Sequence, residues 1–409
     1  MHRSWVVISI ILVIGLPLTG CGNRIELNEI GITTATGVDG KQGDWTVTYQ
    51  VINPSAMSSP SGGATGGGAS QSVVHTFSTH GKTIREANNI SNLEFPRKLY
   101  FAHNNIILIG KKAAEEGVAE IIDGYLRNSE SRETVKVLIV DGSAREFMKM
   151  LVPPDKVPGQ TLVKILEEEN RRGSFYPSIS MYEFALKISS ESGAAGVPEL
   201  SLFGTEGEKL ESVDIFKKTS TQAKLMLSAL SVFKGDKRVG KLNQAESLGI
   251  SWLTNHINGS TFSFDDVNKD TGISTFRILK AKVKITPVKD AQQFSIKVEA
   301  NVSGELVEST SQENIQTSKS MNTMQQQVEQ VIESQILEGW KSVQKLKVDL
   351  IGVADMIYRK HPKIWREIKD SWSEELANMD IDIEVNAVIK RPGLIQKSFS
   401  KLLGPEKDK

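Results

Sequence analysis

Phe294-Ser295-Ile296-Lys297-Val298-Glu299-Ala300-Asn301-Val302 carries an apolar side chain at every second position. Successive side chains of a strand point to opposite faces, so this run reads as a strand with one face covered and the other in water. The same period recurs at 274–286 and again at 381–389. Such clean alternation predicts an antiparallel sheet. Its cover is expected from a helix over about 313–345, where Met324, Val328, Val331, Gln335/Ile336, Trp340 and Val343 recur at helical spacing. The Met and Gln content invites a coiled-coil or ligand-stripe reading, but one long helix packed on the sheet accounts for the same residues. Shorter helices over 350–358 and 364–379, separated by Pro362, complete this half.

Outward from that sheet, the first half has a different rhythm. Runs 31–38 and 45–53, the second alternating through Trp45, Val47, Tyr49 and Val51, predict a hairpin. Residues 58–72 are rich in Gly and Ser and read as a flexible loop; they lack the Lys and Ser/Thr of a phosphate-binding loop, and a strand pattern rather than a helix follows. Beyond it, helical patterns (83–93, 111–128) alternate with strand patterns (105–110, 134–141), which predicts an α/β sheet. A short helix closing near Leu151, then helices over 161–171 and 181–189, the latter capped by Ser180, form a helical insert over about 145–195. The polar stretch 205–222 is the expected main boundary. After it come two strands flanking Lys234-Gly235-Asp236 and a helix over 243–253.

The predicted class is therefore α+β (mixed α/β) and multidomain. An N-terminal α/β region over 21–204 carries the helical insert, a C-terminal domain over 220–392 holds the antiparallel sheet packed by the long helix, and a polar tail follows over 393–409.

Residues 1–20 are read separately. Met1, His2 and Arg3 precede an apolar core from Trp5 to Leu16, and Leu18-Thr19-Gly20-Cys21 closes it at the spacing of a lipoprotein signal. This run is too short for a permanent membrane span. Gly20 gives the peptidase access to the backbone, and the Cys21 thiol can take a diacylglyceryl thioether. Cys21 is the only cysteine in the chain, so acylation leaves no thiol and no disulfide. Two acyl chains on one cysteine suffice for stable anchoring.

Lys+Arg and Asp+Glu both count 49, which removes bulk electrostatic attraction to nucleic acid or to an anionic membrane. The six histidines show no metal-ligand spacing. There is no G-x-S-x-G elbow, and the acidic runs at 167–169 and 374–375 read as solvated helix faces. Three polar or aromatic residues beside apolar runs stand out: Glu246 in the 243–253 helix, Asp349 before Leu350, and Trp365 after Pro362. Each reads first as a cap or buried hydrogen-bond partner at an element junction, and second as a contact residue.

Beyond these readings lies a likeness. Cys21 followed by Glu26-Leu27-Asn28-Glu29-Ile30-Gly31 and Gly37-Val38-Asp39 resembles the start of the mature Ger(x)C spore germination lipoproteins. Gly240-Lys241-Leu242-Asn243 with Glu246-Ser247 and Gly249-Ile250 matches a second pattern of that family. Asp349-Leu350-Ile351-Gly352, Tyr358, Pro362, Trp365 and Trp372 match a third. Gly22 stands where the family usually has tryptophan, and the Gly-rich loop is longer than usual. The resemblance implies the C subunit of a nutrient germinant receptor: a three-domain body without enzymatic activity, with no cofactor beyond the covalent lipid on Cys21. It would be held on the outer face of the spore's inner membrane beside integral membrane A-type and B-type subunits. Two other readings are a free-standing solute-binding lipoprotein and a lipid-anchored wall hydrolase. The first would show two similar lobes about a hinge, and the second lacks a nucleophile and metal ligands.

Overall fold

The computed structural model of the 409-residue chain describes residues 28–57, 72–204, 210–265, 272–290, 293–310 and 317–391, with Trp5 and Glu26. The lipoprotein signal apart from Trp5, Cys21, the Gly-rich segment 58–71 and the tail 393–409 lie outside the described residues.

A nine-stranded sheet forms the first body. It uses β1 (Ile30–Lys41), β2 (Asp44–Ile52), β3 (Val74–Gly81), β4 (Lys98–Tyr100), β5 (Ile106–Gly110), β6 (Lys136–Val140), β7 (Ala194–Phe203), β8 (Lys224–Lys234) and β9 (Lys237–Leu242). The order is β3-β2-β1-β5-β6-β7-β8-β9, with β4 beside the start of β1. The hairpin expected from 31–53 is present, paired from Thr33↔Val51 to Lys41↔Asp44. At the centre, β1, β5, β6 and β7 run parallel. All five residues of β5 are buried, as an apolar run covered on both faces should be.

The covers divide by the period of two. Ile107, Ile109, Val137 and Ile139 face one core, shared with α2 (Lys111–Glu116), α3 (Ala119–Leu126) and α6 (Met181–Ile188). Ile106, Leu108, Leu138 and Val140 face another, shared with α4 (Ala144–Lys149) and α5 (Pro158–Arg172). A further helix, α1 (Ile84–Glu94), packs with Phe77, Tyr49 and Val51 at the β3 edge.

The second body is a four-stranded sheet, β10 (Thr261–Asp265), β11 (Ile273–Lys289), β12 (Phe294–Ser309) and β13 (Asp380–Arg391), in that order. Phe294, Ile296, Val298, Ala300 and Val302 all point into its core. The cover is α8 (Ser318–Leu346), whose Met324, Val328, Ile332, Ile336, Trp340 and Val343 are buried. With it pack α7 (Gln244–Leu253), α9 (Val353–Lys360), α10 (Pro362–Ile368) and α11 (Trp372–Ala377).

Four expectations need correction. The C-terminal sheet is not wholly antiparallel, because β13 pairs parallel with β12 from Ser295↔Asp380 to Glu305↔Arg391. Alternation reports which face is covered, not the direction of the neighbour, and the long helical crossover returns the chain to the same end. The strands around Lys234-Gly235-Asp236, read as opening the second half, are β8 and β9 and extend the first sheet at its β7 edge. The helices of the 145–195 stretch do not stand apart; they cover both faces of that sheet. The single helix expected over 111–128 is two, broken where Gly117 takes φ +139° and the Val118 N–H donates to the Asp236 carbonyl at 2.9 Å.

Candidate functional site

The first motif is local architecture. Asp39, at the end of Gly37-Val38-Asp39, accepts from the backbone N–H of Ala144 and Arg145, both at 2.8 Å, and from Ser143 Oγ at 3.0 Å. A strand-end carboxylate thereby caps α4 across the sheet. Gly37 leaves room for Met148, whose Cγ would lie 2.8 Å from an added Cβ.

The second motif starts a helix. Asn243 and Glu246 form a capping box on α7: Asn243 N–H donates to Glu246 Oε2 at 2.8 Å, and Glu246 N–H to Asn243 Oδ1 at 3.0 Å. Glu246 is thereby placed as a cap. Gly249, three residues on, lies backbone to backbone against Gly339 of α8. At this crossing Trp252 Nε1 donates to Gln335 Oε1 at 2.9 Å.

The third motif forms a clasp between the two bodies. Asp349 is fully buried and accepts three backbone N–H groups, from Gly352 at 2.9 Å, Val353 at 3.0 Å and Ala354 at 2.7 Å. Gly352 takes φ +87°, a left-handed conformation that suits glycine, so Asp349-Leu350-Ile351-Gly352 is the start of α9. The partner is the 189–193 turn between α6 and β7. Ser192 Oγ lies 2.6 Å from Asp355 Oδ2 and 3.0 Å from Asp349 Oδ2. One hydroxyl proton serves one carboxylate at a time, and Asp355 is the nearer. Asp355 also accepts Ser190 Oγ at 3.0 Å and the Glu191 N–H at 3.1 Å. Trp365, 3% exposed, donates from Nε1 to Glu191 Oε2 at 2.8 Å and meets Trp372 edge-on at 5.2 Å. Two of the three residues singled out by sequence, Asp349 and Trp365, thus converge on one turn, while Glu246 sits on another helix.

Burial holds the Asp349 carboxyl above its ordinary range against the pull of the hydrogen bonds around it. Replacing Asp349 by Ala strips three backbone N–H groups of their acceptor and should cost about 2–3 kcal/mol. Urea unfolding of the mature chain measures it, and a midpoint equal to wild type would refute the capping role. Asp349→Asn, which keeps one acceptor oxygen, should lose less.

Near the clasp, Thr254 Oγ1 donates to the Ile250 carbonyl at 2.7 Å, so the His256 Nδ1 at 2.9 Å is the donor in that pair. Burial, then the nearby Lys187 charge, lowers the His256 pKa below 6.5. A base depressed in the folded state takes its proton sooner when unfolded, so its stabilisation is present above 6.5 and fades as pH falls below it. Thermal midpoints should fall between about pH 7 and about pH 5.5. The expected fall is shallower in His256→Gln, and identical slopes would contradict this assignment.

Sequence reading missed one ion cluster. Glu199, wholly buried on β7, accepts from Arg238 Nη2 at 2.8 Å, Lys241 Nζ at 3.1 Å and Ser231 Oγ at 2.5 Å. Burial pushes its carboxyl up, but these donors prevail and hold it below its ordinary value. The group fastens β7 to β8 and β9. An acid inside the apolar run of β7 was the available signal.

These constellations cap helices and tie elements together. Among the described residues no three His, Cys, Asp or Glu side chains come together as metal ligands. Nor is any helix there long and apolar enough to cross a membrane.

Comparison with known proteins adds to this geometry. Residues 23–202 match the family "Spore germination protein N-terminal domain", and residues 228–393 match "Spore germination B3/GerAC like, C-terminal". Spore germination protein KC of Bacillus subtilis (strain 168) is 29% identical over 400 residues, covering 96% of this chain and 97% of its own length. Spore germination protein B3 of the same organism is 22% identical, covering 93% and 96%. The crystal structure of the GerBC protein superposes with a TM-score of 0.51 at 19% identity, over 87% of this chain and 96% of that one.

Proposed function

We propose that this chain, which belongs to the Ger(x)C family of spore germination proteins, works as the lipid-anchored, non-catalytic subunit of a nutrient germinant receptor. It acts by assembly. A diacylglyceryl group on Cys21 holds the body on the outer face of the spore's inner membrane, and surface contacts place it beside two integral membrane subunits. The observation that carries this reading is the pairing of an end-to-end family match with a lipoprotein signal closing on the only cysteine. Interior polar groups used as caps and ties support a scaffold rather than a reaction centre.

A free-standing solute binder fits less well. Such proteins close two similar lobes about a hinge, whereas here a nine-stranded sheet meets a four-stranded one of different topology. Cys21→Ala tests the anchor. The variant should fold normally and move from the membrane fraction of spores to the soluble fraction. Continued retention on membranes would overturn lipid anchoring at Cys21.

A further inference from the structure

One end of the first sheet is tied to the point where the chain enters the fold. Glu29 lies eight positions after Cys21, a reach of at most about 28 Å. The Glu29 carbonyl then accepts the Lys98 N–H at 3.0 Å, and Ile30 pairs with Lys98 in the short β1–β4 ladder. Residues 93–98 therefore sit where the tether arrives.

This turn presents Leu93, at 88% exposure the most exposed large apolar side chain among the described residues. It projects from the last turn of α1 on a firm base. Two residues on, Phe95 stacks on Phe77 at 5.1 Å and covers Gly31 of β1. Exposed Pro96 follows. The charges nearby are of both signs: Glu29, Glu94 and Arg97, with Lys98 paired to Glu130. Apolar insertion, not electrostatic attraction, is what this end offers a bilayer.

We propose that the 93–98 turn rests on the lipid surface that holds Cys21, with Leu93 entering the headgroup layer. This deepens the anchoring reading and depends on it. A fixed contact beside a short tether orients the body, so that the 93–98 end faces lipid and the four-stranded sheet is free for other contacts.

Lipidation consumes the native thiol, so Leu93→Cys in the lipidated chain offers one labelling site. The label is an environment-sensitive fluorophore, and the probe is a protein-free phosphatidylcholine vesicle carrying headgroup-proximal doxyl lipid. Val388→Cys, exposed on β13, is the comparison. The protein should float with the vesicles, and the label at 93 should be quenched roughly twofold or more beyond that at 388. The excess should persist in high salt. Flotation with equal or no quenching at the two sites overturns the contact but leaves the anchor standing. Failure to float overturns the anchor itself and this contact with it. Quenching on vesicles without other proteins assigns the contact to lipid; quenching that appears only after membrane subunits are added would assign it to them and overturn the proposal.

Discussion

Gly339→Leu is expected to lower the unfolding free energy of the mature chain by about 3 kcal/mol or more. A Cβ at Gly339 would stand 2.6 Å from Gly249 Cα, and one at Gly249 would stand 2.5 Å from the Gln335 carbonyl oxygen. Backbone faces backbone at this crossing, so no rotamer change can make room. The helices must separate, and α8 is the cover of the four-stranded sheet, with Ile336 and Trp340 flanking the crossing. Gly240 is the control. It belongs to the same sequence motif as Gly249, yet a Cβ there would meet only Leu346 Cδ2 at 3.6 Å. Gly240→Ala should be neutral within about 0.5 kcal/mol or slightly stabilising. A wild-type urea midpoint for Gly339→Leu would show that the two helices do not meet as described.

Trp365→Ala should cost about 3–5 kcal/mol. Its ring is buried in the C-terminal core against Trp372, while the carboxylate it donates to belongs to the exposed Glu191. Loss of the ring therefore weighs more than loss of the hydrogen bond. Trp365→Phe separates the two effects. It keeps an aromatic ring and loses the donor, and should cost less, about 1–2 kcal/mol. Equal losses in both variants would shift the weight to the Glu191 bond, and an unchanged melting curve in Trp365→Ala would place the ring at the surface.

The elements most legible in the sequence are those specified locally. Alternation through Phe294–Ser309 fixes which residues face the core, and the Ser180/Glu183 and Asn243/Glu246 pairs announce the starts of α6 and α7. Partnership is less legible. Nothing in the period of β8 and β9 says that they join the earlier sheet, and nothing in β13 gives its direction. The three-residue β4 and the five-residue β10 are too short to impose a period.

The candidate site divides in the same way. Asp349 is visible as a cap because the groups it accepts from are three to five residues ahead. Its link to Ser192 spans 157 residues, and the link from Trp365 to Glu191 spans 174, so the clasp is a property of the fold alone. Glu199 and Arg238 find each other only because β8 lies between their strands.

The most direct test of the assembly reading is a pull-down of the tagged, lipidated protein from detergent-solubilised spore membranes, with mass spectrometry of what comes along. The account predicts recovery of two polytopic membrane proteins, lost together in a strain that cannot germinate on the nutrient. Recovery of the lipoprotein alone, carrying a bound small molecule, would contradict it and favour a free-standing solute binder.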